Sequence, residues 1–96
     1  MSINAKTHKR IYNIFRRYGF SHDEATWAAR NNLDPKGPKA HQIKRLLRNR
    51  RARVELVMRE FGWDREYAIS KLEAIRIREA IRQGADDIDN IFIGAY

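Results

Sequence analysis

The 96-residue chain has a mass of 11.4 kDa, enough for one small domain and too little for two full-sized ones. Its hydrophobic fraction of 43% suits a folded core, and the absence of cysteine excludes disulfides, thiolate metal sites and a cysteine nucleophile. Twenty Lys and Arg against twelve Asp and Glu leave a formal net charge of +8 and a pI near 10.3, a balance that favours polyanionic partners.

Met1 to Lys6 contain no apolar segment of the kind a secretory signal needs. No apolar run approaches the ~20 residues of a membrane helix. A cytoplasmic protein with no membrane partner is therefore expected. The first helix is predicted from about Ala5 to Arg17, because Ile11, Ile14, Phe15 and Tyr18 recur at helical spacing and would face a core. Gly19 should end it as a left-handed residue. Ser21-His22-Asp23-Glu24 reads as a capping box, in which Ser21 caps the Glu24 N–H and Glu24 reaches back. That starts a short second helix over about 22–31, carrying Ala25, Trp27, Ala28 and Ala29. Two prolines and a glycine in Leu33 to Pro38 then mark a turn region.

The third predicted helix, about 39–60, is the longest and holds most of the charge excess. Between Pro35 and Val54 stand Lys36, Lys39, Lys44, Arg45, Arg48, Arg50, Arg51 and Arg53, with no Asp or Glu. The remaining twelve basic residues balance the twelve acidic ones. Ile43, Leu47, Val54, Val57 and Phe61 form an apolar stripe with Leu46 and Met58 beside it, and His41, Lys44, Arg45, Arg48 and Arg51 share the opposite face. A solvated helix face normally mixes both signs, so an unmixed one suggests a binding surface. Two residues break the pattern. Leu56 falls near the basic side. Arg50 falls inside the apolar stripe, where an unpaired charge is costly. It must pair with a carboxylate, snorkel out along its stem, or mark a bend near Asn49.

Gly62 should end this helix and Asp64 cap the next, about 65–83. Ala68, Ile69, Leu72 and Ile75 make one apolar face in its first half. Ala74, Ile77 and Ile81 make nearly the opposite face in its second half, a pattern expected of a helix that meets two surfaces. The tail 85–96 places Asp86, Asp87 and Asp89 ahead of Ile91, Phe92, Ile93 and Tyr96. It either forms one short helix capped by Asp86 or runs extended. It would cover the Ala74, Ile77 and Ile81 face in its own chain or a dimer mate, screen the basic helix, or dock on another protein.

Tyr18-Gly19-Phe20-Ser21 aligns with Phe61-Gly62-Trp63-Asp64 at an offset of 43 residues, and Ala25 aligns with Ala68. Each copy reads as a helix stop, an aromatic corner plug and a cap. Two similar corners explain this more simply than a duplicated ancestor. The first copy, with Glu24-Ala25 and Asn31-Asn32 further on, resembles the loop of ubiquitin-associated three-helix modules over residues 8–47. Tyr18 stands in place of their Met, and the third helix here is longer and more basic. No binding residue is carried over from that resemblance.

His8, His22 and His41 lie too far apart for a helical metal pair, and neither a phosphate-cradling glycine pattern nor a nucleophile elbow occurs. Catalysis, a metal and a cofactor are therefore not expected. The reading is all-α: a compact bundle of about four helices in one domain spanning 1–96, with a long central basic helix and a short C-terminal tail. Its expected partner is nucleic acid, DNA in the first instance, bound mainly at the phosphate backbone by Lys36, Lys39, Lys44, Arg45, Arg48, Arg51 and Arg53. The short second helix and the basic third one also permit a helix–turn–helix reading, although six residues with two prolines exceed the usual turn. The alternative is a non-catalytic protein-interaction module. It would use the basic helix and pair, as a homodimer or with another protein, through Ala74, Ile77, Ile81, Ile91 and Phe92. Trp27 and Trp63 are expected as core plugs in either case.

Overall fold

The computed structural model describes the backbone of residues 5–82 and the side chains of residues 5–75. Four helices follow in order: α1 (Ala5–Arg17), α2 (His22–Arg30), α3 (Ala40–Phe61) and α4 (Arg65–Arg82). No strand occurs among the described residues, so the chain is an all-α bundle. The boundaries lie within one residue of those the sequence predicts. The tail and the side chains of Ile77 and Ile81 lie outside the described residues; Ala74 is exposed.

The capping box forms as expected. Ser21 Oγ accepts from the Glu24 N–H at 3.2 Å, and Glu24 Oε1 accepts from the Ser21 N–H at 2.9 Å. Gly19 turns the chain at φ 103° and Gly62 at φ 69°, the positive range that favours glycine. The buried side chains fall into two groups. The larger joins Ile11 and Phe15 of α1, Phe20 of the corner, Ala25, Ala28 and Ala29 of α2, and Ile43 and Leu47 of α3. Three alanines on one face of α2 let its backbone lie close to its neighbours. The smaller joins Val54 of α3 to Ala68, Ile69 and Leu72 of α4.

Four expectations about the core need correction. Phe61 is 63% exposed rather than part of the stripe, because it is the last residue of α3 and lies beyond the Val54 contact. Ile75 is also exposed, one turn past Leu72, where the two-helix core has ended. Trp63 is a half-buried flank of that core rather than a plug, stacked on Phe61 at 4.7 Å between ring centres. Trp27 likewise packs half-buried against the larger core. Leu56, the sequence misfit, is exposed.

Arg50 resolves in favour of pairing. It is 1% exposed and lies between the two cores. Its guanidinium meets Glu24 Oε1 at 2.7 Å, its Nε donates to the Gly19 carbonyl at 2.9 Å, and it sits 4.7 Å from the Phe20 ring centre. One carboxylate thus serves the α2 cap and neutralises the charge from α3. Hydrogen bonds to the Gly19 carbonyl and from the Ser21 N–H supplement the ion pair, the kind of support a buried pair needs to be tolerated. At the C-terminal end of α1, Arg65 donates to the Arg16 and Arg17 carbonyls at 2.6 and 2.7 Å, and Arg16 Nη2 donates to both carboxylate oxygens of Glu66. The start of α4 is therefore fastened to the negative end of α1.

Candidate nucleic-acid interface

The basic stretch is presented by α3 and by the connection of residues 31–39 leading into it. That connection is held firmly. Arg10 of α1 grips Asp34 with two hydrogen bonds, at 3.0 and 2.6 Å. Asp34 Oδ1 also accepts from the Lys36 N–H at 2.9 Å, and the Asp34 carbonyl accepts from the Gly37 N–H at 2.9 Å. Pro35 is buried beneath the turn. The Arg10 guanidinium, helped by the Lys36 N–H, holds the Asp34 carboxyl below the usual carboxylate range. Lys36 and Lys39 consequently project from an ordered turn.

Lys39 occupies the N-cap position of α3, which has no side-chain cap and no acidic residue in its first turn. The positive end of the helix macrodipole therefore adds to the charge of Lys39 and Lys44. Lys44, Arg45, Arg48 and Arg51 are exposed on the outer side of the helix. They rise over about 11 Å of axis and, with Lys39, over about 18 Å. No carboxylate among the described residues lies within ion-pair distance of Lys36, Lys39, Lys44, Arg45, Arg48 or Arg53. Arg51 is partly engaged, with Glu55 at 3.5 Å and the Tyr18 ring centre at 5.7 Å.

Seven residues were predicted for this surface, and they do not form one face. Four of them, Lys44, Arg45, Arg48 and Arg51, share the outer side of α3, and Lys39 stands at its N-cap rather than on that face. Lys36 stands beside them on the turn. Arg53 is exposed but sits about 140° around the axis from Arg48, on another side of the helix. Arg50, the eighth basic residue of the stretch, is spent on Glu24 inside the protein. Arg59 was not among the predicted residues. It is exposed, falls about 20° from Arg48 on the wheel, and extends the row by two further turns, although Glu55 and Glu60 accompany it. Extending the same periodicity to the end of α3 would have found it. Also missed was an exposed basic strip on α1, where Lys6, Lys9 and Arg17 line a shallow depression of about 490 Å³.

His22 is exposed and its Nδ1 is 2.9 Å from the Tyr12 hydroxyl. His8 and His41 are remote from it in the chain. Among the described residues no group of three His, Cys, Asp or Glu side chains is arranged to hold a metal ion. No described helix is long and apolar enough to cross a membrane. No protein-family model matches the chain, and no curated protein or solved structure is significantly similar to it, so the likeness of the first corner to ubiquitin-associated modules assigns no family.

Proposed function

We propose that this protein binds duplex DNA through the phosphate backbone, using the outer face of α3. The observation that carries the reading is the row Lys44, Arg45, Arg48 and Arg51, exposed on the outer side of α3, with Lys39 exposed at its N-cap; four of the five have no ion-pair partner among the described residues. Fixed cations at this density release counterions from DNA when they meet phosphates, and that release supplies affinity without base recognition. With Lys39 included, the row is about as long as five base pairs of one strand. An α-helix fits the major groove of B-form DNA, whereas the deep, narrow groove of A-form RNA admits no side chains.

The connection of residues 31–39 between α2 and α3 is much longer than a helix–turn–helix turn. Backbone-directed binding is accordingly favoured over sequence reading. Fluorescence anisotropy with two duplexes of unrelated sequence tests this: equal affinities at the same salt concentration support the reading, and a difference of a hundredfold or more overturns its backbone-directed form.

A protein-interaction role is the second reading, and one observation favours it. Phe61, Trp63 and Tyr67 form a contiguous aromatic group at the end of α3, with Phe61 and Tyr67 exposed and Leu56 and Ile75 exposed elsewhere on α3 and α4. Exposed aromatics are characteristic of protein interfaces. Lys71 lies 5.3 Å from the Tyr67 ring centre, so the group has a basic edge.

A further inference from the structure

A groove of about 520 Å³ runs between α2, the 31–39 connection and the first half of α3. Its apolar surface comes from Trp27, Leu33 and Leu46, each half-buried. Three exposed amides, Asn31, Gln42 and Asn49, line it together with Lys39 and Arg45. No acidic residue lines it among the described residues. An aromatic wall, neutral groups that both donate and accept, and a cationic border fit a nucleotide whose base is unpaired. Such a base is a flat ring with a polar edge, tied to an anionic phosphate.

The groove is continuous with the phosphate row. Around the α3 axis, Arg48 lies about 60° to one side of Arg45, while Asn49 and Gln42 lie about 40° and 60° to the other. Lys39 and Arg45 therefore belong both to the proposed interface and to the groove lining. A strand whose phosphates rest on these two cations has its bases beside the groove mouth. The walls are held from within the protein: Asn31 Nδ2 donates to the Trp27 carbonyl at 2.9 Å, and the Arg10–Asp34 clamp fixes the 31–39 connection.

We propose that the groove takes an unpaired base of the bound DNA, stacked on Trp27 with its polar edge toward Gln42 and Asn49. The protein then favours DNA carrying unpaired nucleotides over fully paired duplex. Every base has a π-face, so the preference is for structure rather than sequence. An acidic apolar peptide would match the charge, but its apolar side chains would cover the amides without hydrogen-bonding them. The inference rests on the DNA-binding reading above.

The Trp63→Phe variant leaves Trp27 as the sole tryptophan and so gives the groove its own fluorescence signal. Two probes are compared by anisotropy at one salt concentration: a blunt duplex, and the same duplex with a three-nucleotide gap in one strand. The gap removes phosphates, so counterion release alone predicts equal or weaker binding. The gapped duplex should instead bind tighter by about fivefold or more and quench Trp27. Trp27→Leu in the parent chain should abolish the preference and keep the affinity for the blunt duplex; a preference retained by the folded variant overturns the inference. If that variant loses its helical circular dichroism, Gln42→Ala with Asn49→Ala takes its place and should cut the preference by about twofold or more, an unchanged preference again overturning the inference. Equal affinities without quenching overturn the inference and leave the DNA-binding reading standing, whereas no binding of either probe at low salt overturns both. Quenching by a Glu- and Leu-rich peptide but not by the gapped duplex also overturns it, in favour of an acidic protein segment. So does quenching that grows with protein concentration alone, since the occupant would then be a second copy.

Discussion

The two aromatic–glycine–aromatic corners use nearly the same residues and have opposite surroundings. At the first, Phe20 is buried, and a Cβ placed on Gly19 would lie 2.6 Å from Val54 Cγ2. The Gly19 carbonyl accepts from buried Arg50. At the second, Phe61 is exposed, Trp63 is half-buried, and a Cβ on Gly62 would meet nothing within 4 Å. Both corners turn the chain and start a helix, since Asp64 Oδ1 accepts from the Tyr67 N–H at 2.9 Å much as Ser21 caps Glu24. A short motif thus specifies a local turn. Whether that turn becomes core or surface depends on what else folds onto it, and among the described residues only the first is crossed by another helix.

Substitutions at the pair in the first corner should have the largest effect. Glu24→Ala leaves the Arg50 charge buried and removes half of the capping box, so it should cost about 3 to 5 kcal/mol in chemical denaturation. Replacing both Glu24 and Arg50 by Met should recover much of that loss, though not all, because the Ser21 N–H still lacks its acceptor. If the single and double variants are equally unstable, the ion pair is not what makes this corner sensitive.

The aromatics sharpen the same contrast. Phe20→Ala should cost about 3 to 5 kcal/mol, the range for a fully buried phenylalanine. Phe61→Ala should cost less than about 1 kcal/mol, because most of that ring is already in water. Equal losses would show that the second corner is covered after all. At the glycines, Gly19→Ala should combine about 1 to 3 kcal/mol of overpacking against Val54 with about 1 kcal/mol for the positive φ. Gly62→Ala carries only the second cost, so its melting temperature should fall by roughly 4 to 8 °C.

The order of the helices, their ends and the face that α3 turns inward were legible in the sequence because each rests on local rules: the Ser21 box, the two glycine stops and the 3.6-residue period. The partner of Arg50 was not legible. Glu24 lies 26 positions away and already had a local role in its own cap, so nothing in the spacing pointed from one to the other. The exposure of Phe61 and Ile75 was also hidden, because periodicity says which side of a helix is apolar but not where along its length the neighbour ends. For the interface, the charge run identified the residues, yet it counted Arg53 with Arg48 although the helix turns them well apart. The groove beside Trp27 depends on how the 31–39 connection returns to α3, a tertiary matter.

The smallest predicted effect is electrostatic and concerns α4 beside the first corner. Burial pushes the Glu73 carboxyl above its ordinary range, and the nearby Glu24 and Asp23 carboxylates push in the same direction. The folded state therefore takes up a proton there more readily than the unfolded chain. Ionised Glu73 weakens the fold at neutral pH, and that penalty disappears as pH falls through the raised folded value toward the ordinary one. Glu73→Gln should accordingly be slightly more stable than the parent at pH 7, with the two converging in mild acid. Asp34 has the opposite sign: its stabilising pair with Arg10 is present above the usual carboxylate range and is lost as pH falls through its depressed value. A parent that is more stable than the Gln variant at pH 7 would contradict the assignment at Glu73.

The central claim is that the positive outer face of the first half of α3, ahead of Glu55, is a phosphate-binding surface, and the salt dependence of DNA binding tests it most directly. With Lys39, Lys44, Arg45, Arg48 and Arg51 engaged, the logarithm of the association constant should fall with the logarithm of salt concentration at a slope of about −4 to −5. Replacing Arg45, Arg48 and Arg51 together by Gln should leave the helical circular dichroism unchanged. It should reduce the magnitude of the slope by about 0.9 for each lost contact, near 2.7 in all. No binding at low salt, or a folded triple variant that retains the parent's slope, would contradict the account.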